Sequence, residues 1–493
     1  MRTVFFALLL LTTPTMVAQT IRAADRPNVL FIVCDDLNRH VSTAEYQPID
    51  TPALEGLAAA GLTFRRAYCQ YPVCGPSRAS FLSGLYPEST GILDNKSDIR
   101  DVRPGTMTLP ELFKANGYWT AGVGKVFHNP NTNPGEVAWH QFEMFKNDES
   151  PVEAKLRLKF EAEHGSIAAA KNERLWRQVL RKNRKSLGGQ TPPGHGPTQL
   201  RDDQHKDGKN VRHVAKWLDD RAFGVKPFFI TCGIQKPHVP FWAPQKYFDQ
   251  YPLDEIRYRP TPTDDWKHRP TLAMVKRYTA FGFELGKEND KLRREYMQAY
   301  HACITFIDTQ IGLLLESLKR NGHWDDTIIV FTSDHGYHLG EHSLWGKVTL
   351  FEECARVPMI VRVPGRTQEG SQTDGLVELV DIFATLNDLC KIEAPHKLQG
   401  TSFASLLDEP RGDGKEVAYT VVSRGKLLGR SIRTKRWRYA EWGGSDQAEL
   451  YDLTADPYED HNLVEDDRHR QQRQRMHDLL VKAQAKAKSE LAR

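Results

Sequence analysis

Short apolar runs rich in β-branched residues recur along this 493-residue chain, and longer amphipathic stretches separate them. The runs cover 28–34, 119–123, 227–232, 327–332 and 358–363. One intervening stretch, 297–320, repeats its apolar side chains at helical spacing. This alternation predicts an α/β fold, in which helices cover a mostly parallel sheet. In such sheets the functional side chains gather where the strands end, at their carboxyl ends.

Polar side chains of matching type follow two of these runs. Asp35 and Asp36 come after 28–34, while Asp334 and His335 follow 327–332. Because the carboxyl ends of parallel strands meet at one edge of a sheet, we expect these side chains to lie close together. Three carboxylates with one imidazole favour a divalent cation such as calcium or magnesium over a structural zinc ion. Taken alone, Asp35 and Asp36 also fit a helix cap.

The run CGPSRASFLSG begins at Cys74. Pro76 fits the first turn of a helix and Gly84 fits its end, so the pattern predicts Cys74 at a helix N-terminus. Backbone N–H groups at such a terminus bind anions, and the guanidinium of Arg78 matches sulfate or phosphate. The alternative interpretation is a small buried cysteine beside an ordinary helix start.

Cationic and imidazole side chains follow further along the same pattern. They are Lys125 and His128 after 119–123, Lys236 and His238 after 227–232, and Lys347, with Trp345 beside it, beyond His335. Cations around acidic metal ligands suit a substrate with a multiply charged anionic group. We expect His128 to accept a proton from a nucleophile at position 74. Lys236 and Trp345 are assigned to substrate binding.

These segments, in this order, resemble the type I sulfatases over nearly the whole chain, and within that family the iduronate-2-sulfatases. Beside the run at Cys74, the matching motifs are KVFH from 125, KPHVPF from 236, SDHG from 333, LGEH from 339, SIRT from 431 and ELYD from 449. The resemblance implies an alkaline-phosphatase-like α/β domain and a smaller C-terminal α+β domain with an antiparallel sheet. It also implies a calcium ion held by Asp35, Asp36, residue 74, Asp334 and His335.

By the same resemblance, a maturation enzyme converts Cys74 to formylglycine, whose hydrate is the nucleophile. The implied catalytic set is Cys74, Arg78, Lys125, His128, His238 and Lys347. The implied substrate is a sulfate ester of a sugar or polysaccharide, with 2-O-sulfated uronic acid as a candidate. Gly75 departs from the Ala, Ser or Thr of many relatives, and a basic insertion at about 151–210 has no counterpart motif. Since loops around a site select the substrate, the insertion leaves the sugar open.

Two other functions fit the same residues. A phosphodiesterase or phosphonate monoester hydrolase would use a similar site, because phosphate and sulfate have similar shapes. A non-catalytic glycan-binding protein would keep Cys74 as a thiol.

The ends of the chain carry their own signals. Residues 1–24 combine Arg2, an apolar run and small residues, which is typical of a secretory signal and predicts a periplasmic or secreted protein. We expect a catalytic domain over 25–412 and a C-terminal domain over 413–493, where strand patterns precede a charged helix. A net charge of +4 does not indicate nucleic acid, and no later run is long enough for a membrane anchor.

Overall fold

The computed structural model describes residues 26–128, 130–146, 151–167, 169–183, 194–262, 266–281 and 283–489. The expected secretory signal, 1–24, therefore lies outside the described residues. The strands are β1 Asn28–Asp35, β2 Leu62–Tyr68, β3 Trp119–Gly124, β4 Gln141–Glu143, β5 His195–Thr198, β6 Phe228–Pro237, β7 Phe241–Pro244, β8 Thr279–Ala280, β9 Phe283–Glu284, β10 Thr327–Ser333, β11 His338–Leu339, β12 Trp345–Gly346, β13 Arg356–Arg362, β14 Ser371–Thr373, β15 Val377–Glu378, β16 Ala418–Arg424, β17 Leu427–Arg433, β18 Trp437–Trp442 and β19 Ala448–Asp452. The helices are α1 Pro52–Ala59, α2 Cys74–Ser83, α3 Pro87–Thr90, α4 Ile99–Val102, α5 Leu109–Ala115, α6 Pro151–His164, α7 Glu173–Lys182, α8 Lys206–Asp219, α9 Gln245–Phe248, α10 Asp290–Arg320, α11 Glu352–Ala355, α12 Asp381–Cys390, α13 Ala404–Asp408 and α14 Arg470–Lys488.

A nine-stranded sheet forms the centre of the molecule, in the order β14-β2-β13-β10-β1-β6-β3-β4, with β15 also paired to β2. Strands β10, β1, β6, β3 and β4 run parallel. Strand β13 runs antiparallel to both β10 and β2. The expected α/β fold with a mostly parallel sheet is confirmed. The sequence patterns did not predict strand β2, because its charged residues Arg65 and Arg66 interrupt the apolar pattern of a buried strand.

Helices cover both faces of the sheet, which explains why the central strands are apolar throughout. Every residue of β1 is buried. Leu30 and Ile32 belong to the core that α8 and α10 contribute to, whereas Phe31 and Val33 belong to the core shared with α2, α5 and α12. Successive side chains of a strand point to opposite faces, so a strand covered on both sides needs apolar residues at every position.

The C-terminal part adds a four-stranded antiparallel sheet, β16-β17-β18-β19. Helix α14 packs on it through Met476 and Leu480. The strand patterns after Gly414 and the charged terminal helix are therefore confirmed as secondary structure. All seven cysteines are buried with free thiols. No helix among the described residues is long and apolar enough to cross a membrane.

The basic insertion forms two helices, α6 and α7, as its amphipathic pattern predicts. Phe160 and Trp176 pack against each other, with ring centroids 5.4 Å apart, and join the pair. The Gly/Pro section at 188–193 lies outside the described residues. The end expected for the insertion, at about 210, falls within the first turns of the next helix. Helix α8 begins at Lys206 and packs against the central sheet through Val211 and Val214.

Candidate active site

Cys74 is the first residue of α2 and lies at the edge where the parallel strands end. The helix ends at Gly84, whose φ of 71° is left-handed and suits glycine. The backbone N–H of Gly75 donates to Asn95 Oδ1 at 2.8 Å, which holds the loop 91–98 against the first turn. Cys74 is 1% exposed. The structure therefore places this side chain in a buried pocket at a helix N-terminus, as the run of residues predicts.

Acidic side chains and two imidazoles surround the Sγ atom of Cys74. One ligand atom each from Asp35, Cys74, Asp334 and His335 lie within 4.8 Å of one another, and Asp35, Asp36, Cys74 and His238 do the same. Asp35 Oδ1 and Asp36 Oδ2 are buried and have no hydrogen-bond partner among the described residues. Burying a carboxylate oxygen without a partner is costly. The three carboxylates of this set supply the oxygen ligands that a hard cation such as calcium prefers.

The backbone directs these ligands inward. Asp36 has a left-handed φ of 65°, and the hydroxyl of Tyr300 donates to its carbonyl oxygen at 2.6 Å. The backbone N–H groups of Asp36 and His335 both donate to Asp334 Oδ1, at 3.1 and 3.0 Å. His335 Nδ1 lies 2.9 Å from the carbonyl oxygen of Gly336, so this nitrogen carries the proton and Nε2 faces the cluster. The ligands are thus ordered by the protein itself.

Arg78 contacts the acidic side chains of the site. Its guanidinium is 1% exposed and donates to Asp334 Oδ2 at 2.9 Å and to the carbonyl of Val126 at 3.1 Å. It also lies 3.5 Å from Asp35 Oδ1. These protein groups occupy the planar fork that would otherwise bind an anion. Arg78 therefore fixes the acidic ligands in this structure, and its assignment to the catalytic set stays a prediction.

Two ammonium groups flank the nucleophile position. Lys347 Nζ lies 3.0 Å from Cys74 Sγ and 2.6 Å from Asp36 Oδ1, while Lys125 Nζ bonds to Asp35 Oδ2. Burial opposes ionisation of Cys74, but Lys125, Lys347 and His335 hold the pKa of its thiol well below the ordinary value. Burial also opposes protonation of His335, but Asp334 raises the pKa of that imidazole to about 9. The pocket therefore favours negative charge at position 74.

Two histidines lie at the opening of this pocket. His128 is partly exposed, and its hydrogen bond to Cys74 also lowers the thiol pKa. His238 has a side chain that is 22% exposed, with Nε2 3.9 Å from Asp36 Oδ2 and Nδ1 2.6 Å from the carbonyl oxygen of Val239. The structure thus brings both imidazoles to the site, where they are positioned to exchange protons with a substrate.

The two residues assigned to substrate binding, Lys236 and Trp345, contact other protein groups in this structure. Trp345 is 2% exposed and packs edge-on against Tyr258 and Tyr296, beneath the site. The Lys236 ammonium bonds to the carbonyl of Pro240 and lies 6.0 Å from the Trp242 ring centroid. Trp345 is thus packed in the core of this structure, and its assignment to substrate binding stays a prediction. Lys236 stabilises its own loop in this structure.

Asp207 is a site residue that the sequence analysis missed. It lies at the start of α8 and accepts the backbone N–H groups of Gln235 and Lys236, at 2.8 and 2.9 Å. Asn210 Nδ2 joins it to the carbonyl oxygen of Gly233. Asp207 therefore fixes the loop that carries His238. The sequence hid it because its neighbours are charged and appeared to belong to the insertion.

A buried nucleophile position at a helix N-terminus, ringed by carboxylates and cations at the end of an α/β sheet, defines a hydrolase of charged esters with an alkaline-phosphatase-like fold. The profile of the sulfatase family matches residues 27–392, and the profile described as N-sulphoglucosamine sulphohydrolase, C-terminal, matches 340–486. The chain belongs to the sulfatase family and is a sulfuric ester hydrolase.

Relatives of known sequence and structure agree with this assignment. A sulfatase of Formosa agariphila is 32% identical over 90% of this chain and 83% of its own, and human iduronate 2-sulfatase is 29% identical over 90% and 92%. Two solved structures share the fold at 22% identity. The phosphonate monoester hydrolase of Agrobacterium radiobacter has a TM-score of 0.75 over 94% of this chain and 96% of its own. A protein solved with its substrate D-glucosamine-2-N,6-O-disulfate has a TM-score of 0.70 over 94% and 98%.

Proposed function

We propose that this protein is an exported enzyme that hydrolyses a sulfate ester of a sugar, through a formylglycine made from Cys74. The position of Cys74 supports the proposal. Its Sγ lies 3.0 Å from Lys347 Nζ and 3.4 Å from His335 Nε2, beside carboxylate oxygens that lack partners. The biosynthetic partner would be a formylglycine-generating or sulfatase-maturing enzyme that acts before the chain folds, since the folded cysteine is buried.

In the proposed reaction, Sγ marks the place of a hydroxyl oxygen of the formylglycine hydrate. That oxygen reacts in its deprotonated form, which Lys125 and Lys347 stabilise; it attacks sulfur, and the bond from sulfur to the sugar oxygen breaks. His238, with Lys347, donates a proton to the departing sugar oxygen. His128 takes the proton of the second hydroxyl, so the aldehyde re-forms as its bond to sulfate breaks, and water then restores the hydrate.

Asp35, Asp36, Asp334 and His335 would hold one calcium ion together with residue 74. When bound, such a cation polarises a sulfate oxygen and neutralises developing charge. Lys125 and Lys347, which bond to Asp35 and Asp36, supply further positive charge beside the nucleophile position. The substrate therefore meets a pocket that is matched to a sulfate group, whose three terminal oxygens share the negative charge.

The proposed substrate class is a sulfated sugar or polysaccharide, with 2-O-sulfated uronic acid as the first candidate. The likeness to human iduronate 2-sulfatase over 90% of this chain supports this candidate. Residues 1–24 would direct the chain to the periplasm or the medium, where sulfated polymers are met. Helix α7, whose four Lys and Arg side chains outnumber its one Glu, would add positive charge for an anionic polymer.

A substrate comparison tests the proposal. The mature enzyme is incubated with sulfate esters of uronic acids and hexosamines and with matching phosphate monoesters, phosphodiesters and phosphonate monoesters. We expect kcat/KM to be highest for a sugar sulfate. Cys74→Ala is the control, because its side chain cannot be converted to formylglycine.

A phosphonate monoester hydrolase is the second candidate, and the fold shared with the Agrobacterium radiobacter enzyme favours it. Preference for a phosphonate or phosphodiester in the same assay would establish that function. Binding of sulfated sugars without any turnover, by protein produced with the maturation enzyme, would instead establish a glycan-binding protein.

A further inference from the structure

Phe281 is an exposed aromatic residue at the opening of the active site. Half of the surface of this residue, 50%, is exposed to solvent. The ring centroid lies 5.5 Å from Lys347 Nζ, 6.0 Å from the His238 ring and 6.3 Å from the Tyr337 ring. One side of the ring therefore meets the groups that flank the nucleophile position, while half of the residue faces solvent.

The backbone that positions Phe281 is conformationally strained. Tyr278 and Phe281 have φ values of 51° and 50°, in the left-handed region that bulky side chains rarely adopt. Such strain persists where surrounding contacts enforce it, and it concentrates at functional sites. A hydrophobic side chain that contributed only to folding would gain more from burial than from this position.

The enforcing contacts come from the loop that carries Lys347. Tyr278 donates its backbone N–H to the carbonyl oxygen of Ser343 at 2.8 Å, and Ser343 Oγ donates to the Tyr278 hydroxyl at 3.1 Å. Strands β8 and β9 pair Thr279 with Glu284 and close the hairpin. The ring is thus fixed relative to Lys347 and does not depend on the insertion for its position.

Aromatic faces carry partial negative charge and attract the weakly positive C–H groups of a sugar ring. A sugar whose sulfate is bound between Lys125 and Lys347 must leave the pocket past His238, which protonates its oxygen. Phe281 borders that path. Binding sites of this kind combine an apolar wall with a few placed polar groups.

We infer that Phe281 is the platform on which the sugar ring of the substrate stacks, and that it selects sulfated pyranoses over sulfate esters that lack a ring. This inference rests on the proposed function and adds a specificity-determining residue to it. The occupant is the ring that bears the reacting sulfate. No contact with the sulfate group itself is assigned to Phe281.

The test measures binding in the Cys74→Ala background with calcium present, so that it does not depend on maturation or turnover. The probes are 2-O-sulfated uronic acid, glucosamine 6-sulfate, ethyl sulfate and inorganic sulfate, titrated by calorimetry. Phe281→Ala should weaken the tighter of the two sugars about tenfold. The Kd values of ethyl sulfate and inorganic sulfate should change by no more than about twofold, because neither molecule presents a sugar ring. Thermal unfolding of each variant checks that the fold is intact.

Two further variants separate stacking from simple bulk. Phe281→Trp keeps an aromatic face and should bind the sugar within about twofold of the parent, whereas Phe281→Leu keeps apolar volume and should lose several-fold. If Phe281→Ala weakens the binding of sugar and inorganic sulfate equally, Phe281 acts through Lys347. If sugar binding is unchanged in Phe281→Ala, the sugar ring does not stack on Phe281. Either result overturns the inference. A mature wild-type enzyme that hydrolyses no sulfate ester is a different outcome, which overturns the proposed function and not the stacking measured here.

Discussion

The ammonium of Lys347 lies 3.0 Å from the Sγ atom of Cys74. The same group lies 2.6 Å from Asp36 Oδ1, so one cation contacts both the nucleophile position and an acidic ligand. Burial opposes the charge on Lys347, but Asp36 and Cys74 raise the pKa of its ammonium well above the usual value. Lys347 therefore stays charged at neutral pH, and its field stabilises negative charge on whatever atom occupies position 74.

Removal of the metal should lower both activity and stability. Three buried carboxylates face one another at this site, and a bound cation offsets their repulsion. Calcium at 100 times its Kd should raise the free energy of unfolding by about 2.7 kcal/mol. Dialysis against a chelator, followed by thermal unfolding with and without added calcium, measures this. In Asp36→Asn the shift with calcium should shrink, and an equal shift in that variant would place the ion elsewhere.

Loss of His238 should depend on the leaving group. In His238→Ala, turnover of a sugar sulfate should fall about 100-fold or more, because an alkoxide leaves poorly without a proton. Turnover of 4-nitrophenyl sulfate, whose leaving group is a weak base, should fall far less. His128→Ala should slow both substrates and accumulate sulfate on residue 74, detected by peptide mass. Equal losses on the two substrates in His238→Ala would exclude its role as the acid.

Asp207 should act through His238. Asp207→Asn replaces one acceptor oxygen with a donor, so one of the N–H groups of Gln235 and Lys236 loses its partner and the loop shifts. We expect kcat for a sugar sulfate to fall at least about tenfold, with 4-nitrophenyl sulfate again less affected. The matched control is Asp203→Asn, because Asp203 is in the same segment but pairs at the surface with Arg201. If Asp207 had a purely structural role, the substitution would lower kcat for both substrates equally and would also lower the unfolding temperature.

Asp308 should make stability depend on pH. Burial raises the pKa of its carboxyl to about 6, although the backbone N–H groups of Ala53 and Leu54 donate to it at 3.0 Å. The folded chain thus binds this proton more tightly than the unfolded chain, whose carboxyl has a pKa of about 3.9. The free energy of unfolding contributed by this group must therefore fall as pH rises from about 4 to about 6, by up to about 3 kcal/mol.

Urea unfolding of wild type and Asp308→Asn over that pH range isolates the effect. The difference in free energy of unfolding, wild type minus variant, should decline with rising pH and then level off above the folded pKa. A difference that stays constant, or one that grows with pH, would contradict the assignment.

Much of the site follows from the sequence because of one geometric rule. Asp35, Asp36, Asp334 and His335 each follow a buried apolar run, and parallel strands end at the same edge, so their proximity is predictable. Cys74 is predictable for a similar reason, since Pro76 and Gly84 mark the helix that it begins. Local patterns thus fixed which side chains reach this edge.

The direction of a long side chain is less predictable. Arg78 turns inward because Asp334 and the carbonyl of Val126 lie beneath α2, and those groups are 48 or more positions away. Trp345 lies on a short strand. Its side chain is buried because Tyr296 of helix α10 packs against it. Phe281 follows no apolar run at all, and its role depends on a hairpin anchored to Ser343. These contacts between distant segments exist only once the chain has folded.

The mass of the peptide that contains residue 74 tests the central claim most directly. The protein is produced together with a maturation enzyme, digested and measured against Cys74→Ala. Conversion of the thiol to the aldehyde should lower the peptide mass by about 18 Da, whereas oxidation at sulfur adds mass. The account predicts the loss. An intact thiol under those conditions would contradict the proposed nucleophile and leave a protein that binds sulfated glycans without hydrolysing them.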